Sequence, residues 1–223
     1  MKDLIFNRPI PLEYKDYIDI ISPKKSQEGG HDIIPPKDSR EGSHMDLTLK
    51  LNAQFQPKHR FELEDVLQEV LEKERFGEIT GGGTAQNSDG EIMYCDIEIH
   101  LTNNKPDSVK WLVGLLNSIG IPKGSVLQGI QPEIEVGSLE GLAYYSNGVD
   151  LPEEVYKTCD INYVIEQMEL AMEGIGRMYS YWEGATHTAL YFYGSSFSEM
   201  KKRIEPFIAT YPLCRKSRIE QIA

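Results

Sequence analysis

Three side chains that exchange protons or bind metals alternate along one predicted strand. Asp96, Glu98 and His100 occupy every second position of the run 95–101, and the residues between them are apolar. In an extended strand these positions share one face, with neighbours roughly 7 Å apart. Such a row suits acid–base chemistry, divalent-metal binding or a polar interface. Few further ligands are evident on the neighbouring strands, so neither a metal nor another cofactor is predicted.

A second group of carboxylates belongs to a predicted amphipathic helix. Between Phe61 and Arg75 the apolar residues recur at helical spacing, which predicts a surface helix. The polar face of that helix carries Glu62, Asp65, Glu69 and Glu72. With Asp96, Glu98 and His100, these acids predict a surface that attracts a basic protein. A merely solvated helix face is the alternative interpretation.

Aromatic residues concentrate in the last third of the chain. Tyr191 and Tyr193 alternate along one predicted strand, and further aromatic residues lie nearby in the sequence. A row of this kind suits base stacking, a protein interface or a contact with the rest of the chain. Residues 138–223 carry more acids than bases, which disfavours RNA. We therefore assign Tyr191 and Tyr193 to an interface within the molecule or with a partner.

The elements that position these residues follow one order twice. From Met45, the hydrophobic periodicity predicts a strand, a helix, a hairpin of two strands around Asp89-Gly90, a helix from Pro106 and a short strand over 125–128. From residue 140 the same βαββαβ order recurs.

This pattern predicts an α+β protein of two tandem ferredoxin-like copies, over residues 45–132 and 138–223. Each copy has a four-stranded antiparallel sheet with two helices on one face. Residues 1–44, which are rich in proline and lack a sustained period, predict an irregular N-terminal arm or linker.

Composition excludes several classes of function. The 223 residues carry a formal charge of -12, with a mean hydropathy of -0.41. Phosphates would repel such a chain, so no nucleic-acid partner is predicted. No apolar run has the length of a membrane span, so no membrane partner is predicted. Three cysteines without CxxC spacing favour a reducing cytoplasm.

A few isolated residues invite chemical interpretations of their own. Gly81-Gly82-Gly83-Thr84 lacks the lysine of a phosphate-binding loop and instead predicts a bulged or closely approached strand. Cys214 precedes Arg215 and Lys216, whose charges favour its thiolate. His59 is expected at the surface.

The function predicted from these features is that of an acidic cytoplasmic binding or inhibitor protein. It would engage a basic protein such as a toxin, as bacterial immunity proteins do. One alternative is an enzyme, possibly a metal-assisted hydrolase, that uses Asp96, Glu98 and His100. Another is a regulatory module that binds a small ligand between the two copies. The sequence leaves the oligomeric state open.

Overall fold

The computed structural model describes residues 43–223. The N-terminal arm predicted for residues 1–44 therefore lies, except for its last two residues, outside the described part. Within the described part, no helix combines the length and the apolar character needed to cross a membrane.

The first half of the described chain forms a five-stranded antiparallel sheet. Its elements are β1 (Met45–Leu51), α1 (Pro57–Glu74), β2 (Gly77–Gln86), β3 (Ile92–Leu101), α2 (Pro106–Ser118), β4 (Ser125–Gln128) and β5 (Ile134–Val136). The strand order is β2-β3-β1-β4-β5. We call residues 45–136 the first half and this sheet the first sheet.

The second half, residues 140–221, repeats the order around a four-stranded sheet. Its elements are β6 (Glu140–Asn147), α3 (Glu153–Thr158), α4 (Ile161–Ala171), β7 (Gly176–Glu183), β8 (His187–Gly194), α5 (Phe197–Ile208), a 3-10 turn (Pro212–Cys214) and β9 (Arg218–Gln221). The strand order β7-β8-β6-β9 matches the first four strands of the first sheet. The α+β prediction of two βαββαβ copies is thus confirmed, while the boundaries at 132 and 138 stay a prediction.

Side chains cap two helix starts in the second half. Asp160 caps α4 by accepting a hydrogen bond from the Asn162 amide at 2.9 Å. Ser196 caps α5 by accepting from the Glu199 amide. Two short elements, α3 and β5, were not predicted. No residue of α3 is buried, and β5 has only three residues, so neither leaves a readable hydrophobic period.

Each half has its own helix-covered core. In the first half, alternate residues of β1 and β3 pack with the apolar stripes of α1 and α2. In the second half, Leu142, Leu190 and Phe192 pack with the buried methionines of α4 and α5. Tyr145, Tyr191 and Tyr193 belong instead to the cluster of the first half, so the two halves are joined by side chains of the second sheet.

Candidate binding face and the seam between the halves

The open face is the side of the first sheet turned away from α1 and α2. Ile97 and Ile99 of β3 are buried against the helices, so the residues between them point the other way. The open face comprises Asp46, Thr48 and Lys50 of β1 and Tyr94, Asp96, Glu98 and His100 of β3. Asp96, Glu98 and His100 therefore share one face as predicted, and this face is the candidate binding surface.

Strand register adds a partner that the sequence row did not contain. Asp46 lies opposite His100 across the β1–β3 pair. Its Oδ1 is 2.7 Å from His100 Nδ1, and the His44 ring lies 5.1 Å from the His100 ring. The carboxylate orients the imidazole, but the Asp46 side chain is 76% exposed. A polar contact this exposed contributes little to stability.

Tyr94 and Lys50 form a second pair on the open face. The Lys50 ammonium lies 4.3 Å from the centre of the Tyr94 ring, which is a cation–π contact. Sequence reasoning missed Tyr94, although it stands two residues before Asp96 in the same alternating row. The open face therefore presents a tyrosine ring with its cation at one end and histidine rings at the other, with carboxylates between them.

The predicted acidic surface is divided between two layers. Asp65, Glu69 and Glu72 are exposed and Glu62 is half-buried on α1. Helix α1 covers the face of the first sheet opposite to Asp96, Glu98 and His100. The seven residues therefore lie on two different layers of the fold, and their part in binding a partner stays a prediction.

Tyr191 and Tyr193 lie in the seam. We use this name for the contact that residues 52–59 and Glu91 of the first half make with the second sheet. Their exposed fractions are 0% and 1%, so neither is available to a separate partner. The Tyr193 hydroxyl donates a hydrogen bond to the side-chain Oε1 of Gln54 at 2.6 Å. It also accepts one from the backbone amide of Gln54 at 3.0 Å. Phe55 stacks on Tyr179 and meets Tyr193 edge-on. Of the three roles considered for this aromatic face, the structure shows the contact within the chain.

Glu91 joins the halves through two phenols. Tyr145 donates to Glu91 Oε1 at 2.6 Å, and Tyr191 donates to the same oxygen at 2.8 Å. Burial and the nearby carboxylate raise the pKa of Tyr191 far above its ordinary value, so the hydroxyl remains a donor. The Arg218 guanidinium lies 3.6 Å from the centre of the Tyr145 ring. These contacts fill the seam, which removes support for a small ligand bound between the copies.

His59 also belongs to the seam, which corrects its expected place at the surface. It is 4% exposed, and its Nδ1 lies 3.0 Å from Ser180 Oγ of the second half. Burial, reinforced by the charge of Lys58, lowers the pKa of His59 to about 4. The imidazole is therefore neutral at physiological pH. Its burial depends on the second half, which no local pattern in α1 reveals.

Two further chemical expectations have different outcomes. The strand interpretation of Gly81-Gly82-Gly83 is confirmed, since β2 has a register shift between Ile79 and Gly81 and an Arg60 nitrogen lies against Gly82. The expected thiolate at Cys214 is wrong, because burial raises the pKa of this thiol. Within residues 43–223, no three metal-ligating side chains come together, so the metal-assisted enzyme lacks a ligand set there.

Comparison with known proteins finds distant likenesses among solved structures. No protein-family model and no curated protein matches the chain. One solved structure, described as the first two RRM domains of yeast poly(U)-binding protein (Pub1), is 11% identical to it. The match covers 79% of this chain and 99% of that one, with a TM-score of 0.22. A likeness this weak says nothing about what the present chain binds.

Two functional expectations are corrected at this point. That structure is described as part of a poly(U)-binding protein, whereas the sequence predicts an immunity-like inhibitor of a basic protein with no nucleic-acid partner. Both predictions differ from that description and are not retained. The structure also divides between two layers the acids on which the inhibitor prediction rested.

Proposed function

We propose that this protein binds single-stranded nucleic acid on the open face of its first sheet. The observation that carries the proposal is the Tyr94 ring with the Lys50 ammonium above it on that face. An aromatic ring offers a stacking platform to a base, and an adjacent cation meets the phosphate. On binding, the Lys50 ammonium moves from the Tyr94 ring to the phosphate. The base then stacks on the ring where the ammonium had been.

The carboxylates between the rings determine which bases suit this face. Asp96 and Glu98 only accept hydrogen bonds when they are ionised. Amino groups on cytosine, adenine and guanine donate such bonds, and carboxylates are suitable partners for the cytosine amino group. Uracil has no amino group. The open face therefore favours amino-bearing bases over uracil.

Charge limits the affinity and positions the backbone. A chain with a net charge of -12 attracts phosphates weakly, and the carboxylates of the open face repel them. The sugar–phosphate backbone therefore runs at the Lys50 side while the bases lie over the strands. With so few phosphate contacts, the affinity is modest. Each contact lowers the logarithm of the binding constant by only about 0.7 for a tenfold rise in salt concentration.

The second half supports this surface without duplicating it. Its aromatic sheet face is buried in the seam, so it offers no second stacking platform in this arrangement. Its role is to hold residues 52–56, which connect β1 of the open face to α1. A cytoplasmic location, favoured by the three free cysteines, belongs to the same proposal.

Fluorescence anisotropy with labelled oligonucleotides tests the proposal. The full chain is titrated at low salt into short oligocytidylate, oligoadenylate and oligouridylate. We expect binding, with oligocytidylate bound at least about fivefold more tightly than oligouridylate because one amino contact distinguishes them. Tyr94→Ala should weaken binding about tenfold through lost stacking. Tyr163→Ala, at an exposed tyrosine on α4, is the matched control and should leave it unchanged.

Two results would contradict this function. One is the absence of binding to all three oligonucleotides at low salt. The other is equal loss of binding in Tyr94→Ala and Tyr163→Ala, which would place the ligand away from the open face.

A further inference from the structure

The outer edge of β2 is the feature that the proposed function leaves unused. β2 has ten residues and ends the strand order of the first sheet, and no strand of residues 43–223 lies beyond it. Its only charged residue is Glu78, and it contains neither lysine nor proline. Edge strands commonly carry such residues to prevent pairing with another chain. β2 thus has little protection against pairing.

Hydrogen bonding shows which backbone groups of β2 face outward. The Thr102 amide donates to the Phe76 carbonyl at 2.9 Å, so even-numbered residues of β3 direct their backbone groups toward β2. Gly82 and Thr84 pair with odd-numbered residues of β3. Their own backbone groups therefore point away from the sheet.

One outward amide of β2 is already satisfied within the chain. The Ile79 amide donates to Gln68 Oε1 of α1 at 2.5 Å. Because the Gln68 side chain occupies this amide, the part of the edge that is free to pair does not include Ile79. The free edge therefore starts after the bulge at Ile79 and includes Gly82 and Thr84.

We propose that two copies of this chain associate by antiparallel pairing of their β2 edges, centred on Gly82. The sequence around Gly82 is palindromic, since residues 80–84 read Thr-Gly-Gly-Gly-Thr. Antiparallel pairing about a two-fold axis matches each residue with its mirror position. The resulting pairs are Thr80 with Thr84 and Gly81 with Gly83. Threonine pairs stabilise neighbouring strands, and glycines at the axis let the backbones approach without side-chain overlap.

Two side chains of α1, Arg60 and Glu64, lie beside the centre of the proposed pairing. A Cβ added to Gly82 would lie 2.1 Å from Arg60 Nη1, so this guanidinium lies directly beside the proposed axis. Arg60 is 6% exposed and is paired with Glu64, yet its Nε has no hydrogen-bond partner within the described residues. A buried donor without an acceptor is costly. Arg60 and Glu64 therefore line the helix side of the proposed pairing site.

Pairing in this register joins the two first sheets into one. The two-fold axis is perpendicular to the sheet, so both open faces lie on the same side and form one longer surface. Each copy carries a net charge of -12, so like-charge repulsion opposes association. Added salt screens this repulsion, and association should strengthen as the salt concentration rises.

Sedimentation equilibrium of the full chain tests the pairing, over a range of protein concentrations at physiological and raised salt. We expect a monomer–dimer equilibrium that shifts toward the dimer with salt. Thr84→Pro removes an outward amide, and Thr80→Lys places like charges on both sides of the axis. Each change should weaken the dimer at least tenfold. Thr186→Lys, in the hairpin turn between β7 and β8, adds the same charge elsewhere and should leave the dimer intact.

A wild-type chain that stays monomeric at all concentrations and salts would overturn the pairing. A dimer that survives both Thr84→Pro and Thr80→Lys would overturn it too, since contact would then occur elsewhere. If circular dichroism shows that Thr84→Pro does not fold, the result for Thr80→Lys alone decides whether the β2 edges pair. Oligonucleotide binding is measured separately by anisotropy, so failure of the pairing is distinguishable from failure of the proposed function.

Discussion

At the scale of single residues, Glu91 concentrates the bonding between the halves. One of its carboxylate oxygens accepts from both Tyr145 and Tyr191. Removing the Tyr191 hydroxyl deletes a buried bond to a charged acceptor, and bonds of that kind contribute about 1.5–3 kcal/mol. We expect Tyr191→Phe to lower the free energy of unfolding by that amount, as measured by urea denaturation.

Tyr94→Phe is the matched control for this change. Tyr94 lies on the open face, and the ring that carries the Lys50 contact is retained in phenylalanine. Its free energy of unfolding should change by no more than about 0.5 kcal/mol. Equal effects of the two substitutions would show that the Glu91 bonds do not join the halves.

His59 makes the contact between the halves sensitive to pH. Its pKa is lowered from 6.5 to about 4 in the folded chain, mainly by burial. Below pH 6.5 the unfolded chain takes up a proton that the native imidazole resists, so the free energy of unfolding falls with decreasing pH. The contribution is fully present above pH 6.5 and falls by at most about 1.4 kcal/mol per pH unit, down to pH near 4.

Comparison of the wild type with His59→Asn separates the contribution of His59 to the pH dependence from that of the other titrating groups. Asparagine retains a polar atom near Ser180 but does not titrate. Urea denaturation at several pH values between 4 and 7.5 should therefore give a steeper pH dependence for the wild type than for the variant. Parallel curves would mean that His59 is not held neutral in the seam.

At the scale of elements, β2 depends on glycine at one position and not at the next. A Cβ at Gly82 would lie 2.6 Å from the Asp96 carbonyl oxygen as well as against Arg60 and Glu64. A Cβ at Gly83 would have nothing within 4 Å. We expect Gly82→Ala to destabilise the chain by about 1–3 kcal/mol through overpacking, as measured by thermal and urea denaturation. Gly83→Ala should change stability by about 0.5 kcal/mol or less.

If both alanine variants unfold at the same denaturant concentration, the close approach of α1 to β2 is contradicted. The comparison is well controlled because the two positions are adjacent and take the same substitution.

Elements with a strong period were predictable, and contacts between them were not. Alternation along β3 predicted that Asp96, Glu98 and His100 share a face. It did not predict Asp46, because strand register depends on which strands pair. Alternation also grouped Tyr191 with Tyr193, but only the packing of the two halves decides what covers them. The short elements α3 and β5 were missed because each contributes too few buried residues to show a period.

At the scale of the whole molecule, two sheets of the same topology have different roles. The second sheet buries its aromatic face against the first half, and the first sheet leaves its polar face open within the described residues. This asymmetry separates the sheet that joins the two halves from the sheet that we propose as the binding surface. Overall charge alone misled the functional prediction, because a net charge does not tell which layer carries the acids.

The most direct test of the account is a nuclear magnetic resonance titration of the labelled full chain with short oligocytidylate. We predict that backbone amide signals of Thr48, Tyr94, Asp96 and Glu98 shift as the ligand is added, while those of Tyr191 and Tyr193 stay in place. The claim that the open face of the first sheet is the binding surface would be contradicted by two results. Either no amide signal shifts, or only the signals of residues in the second sheet shift.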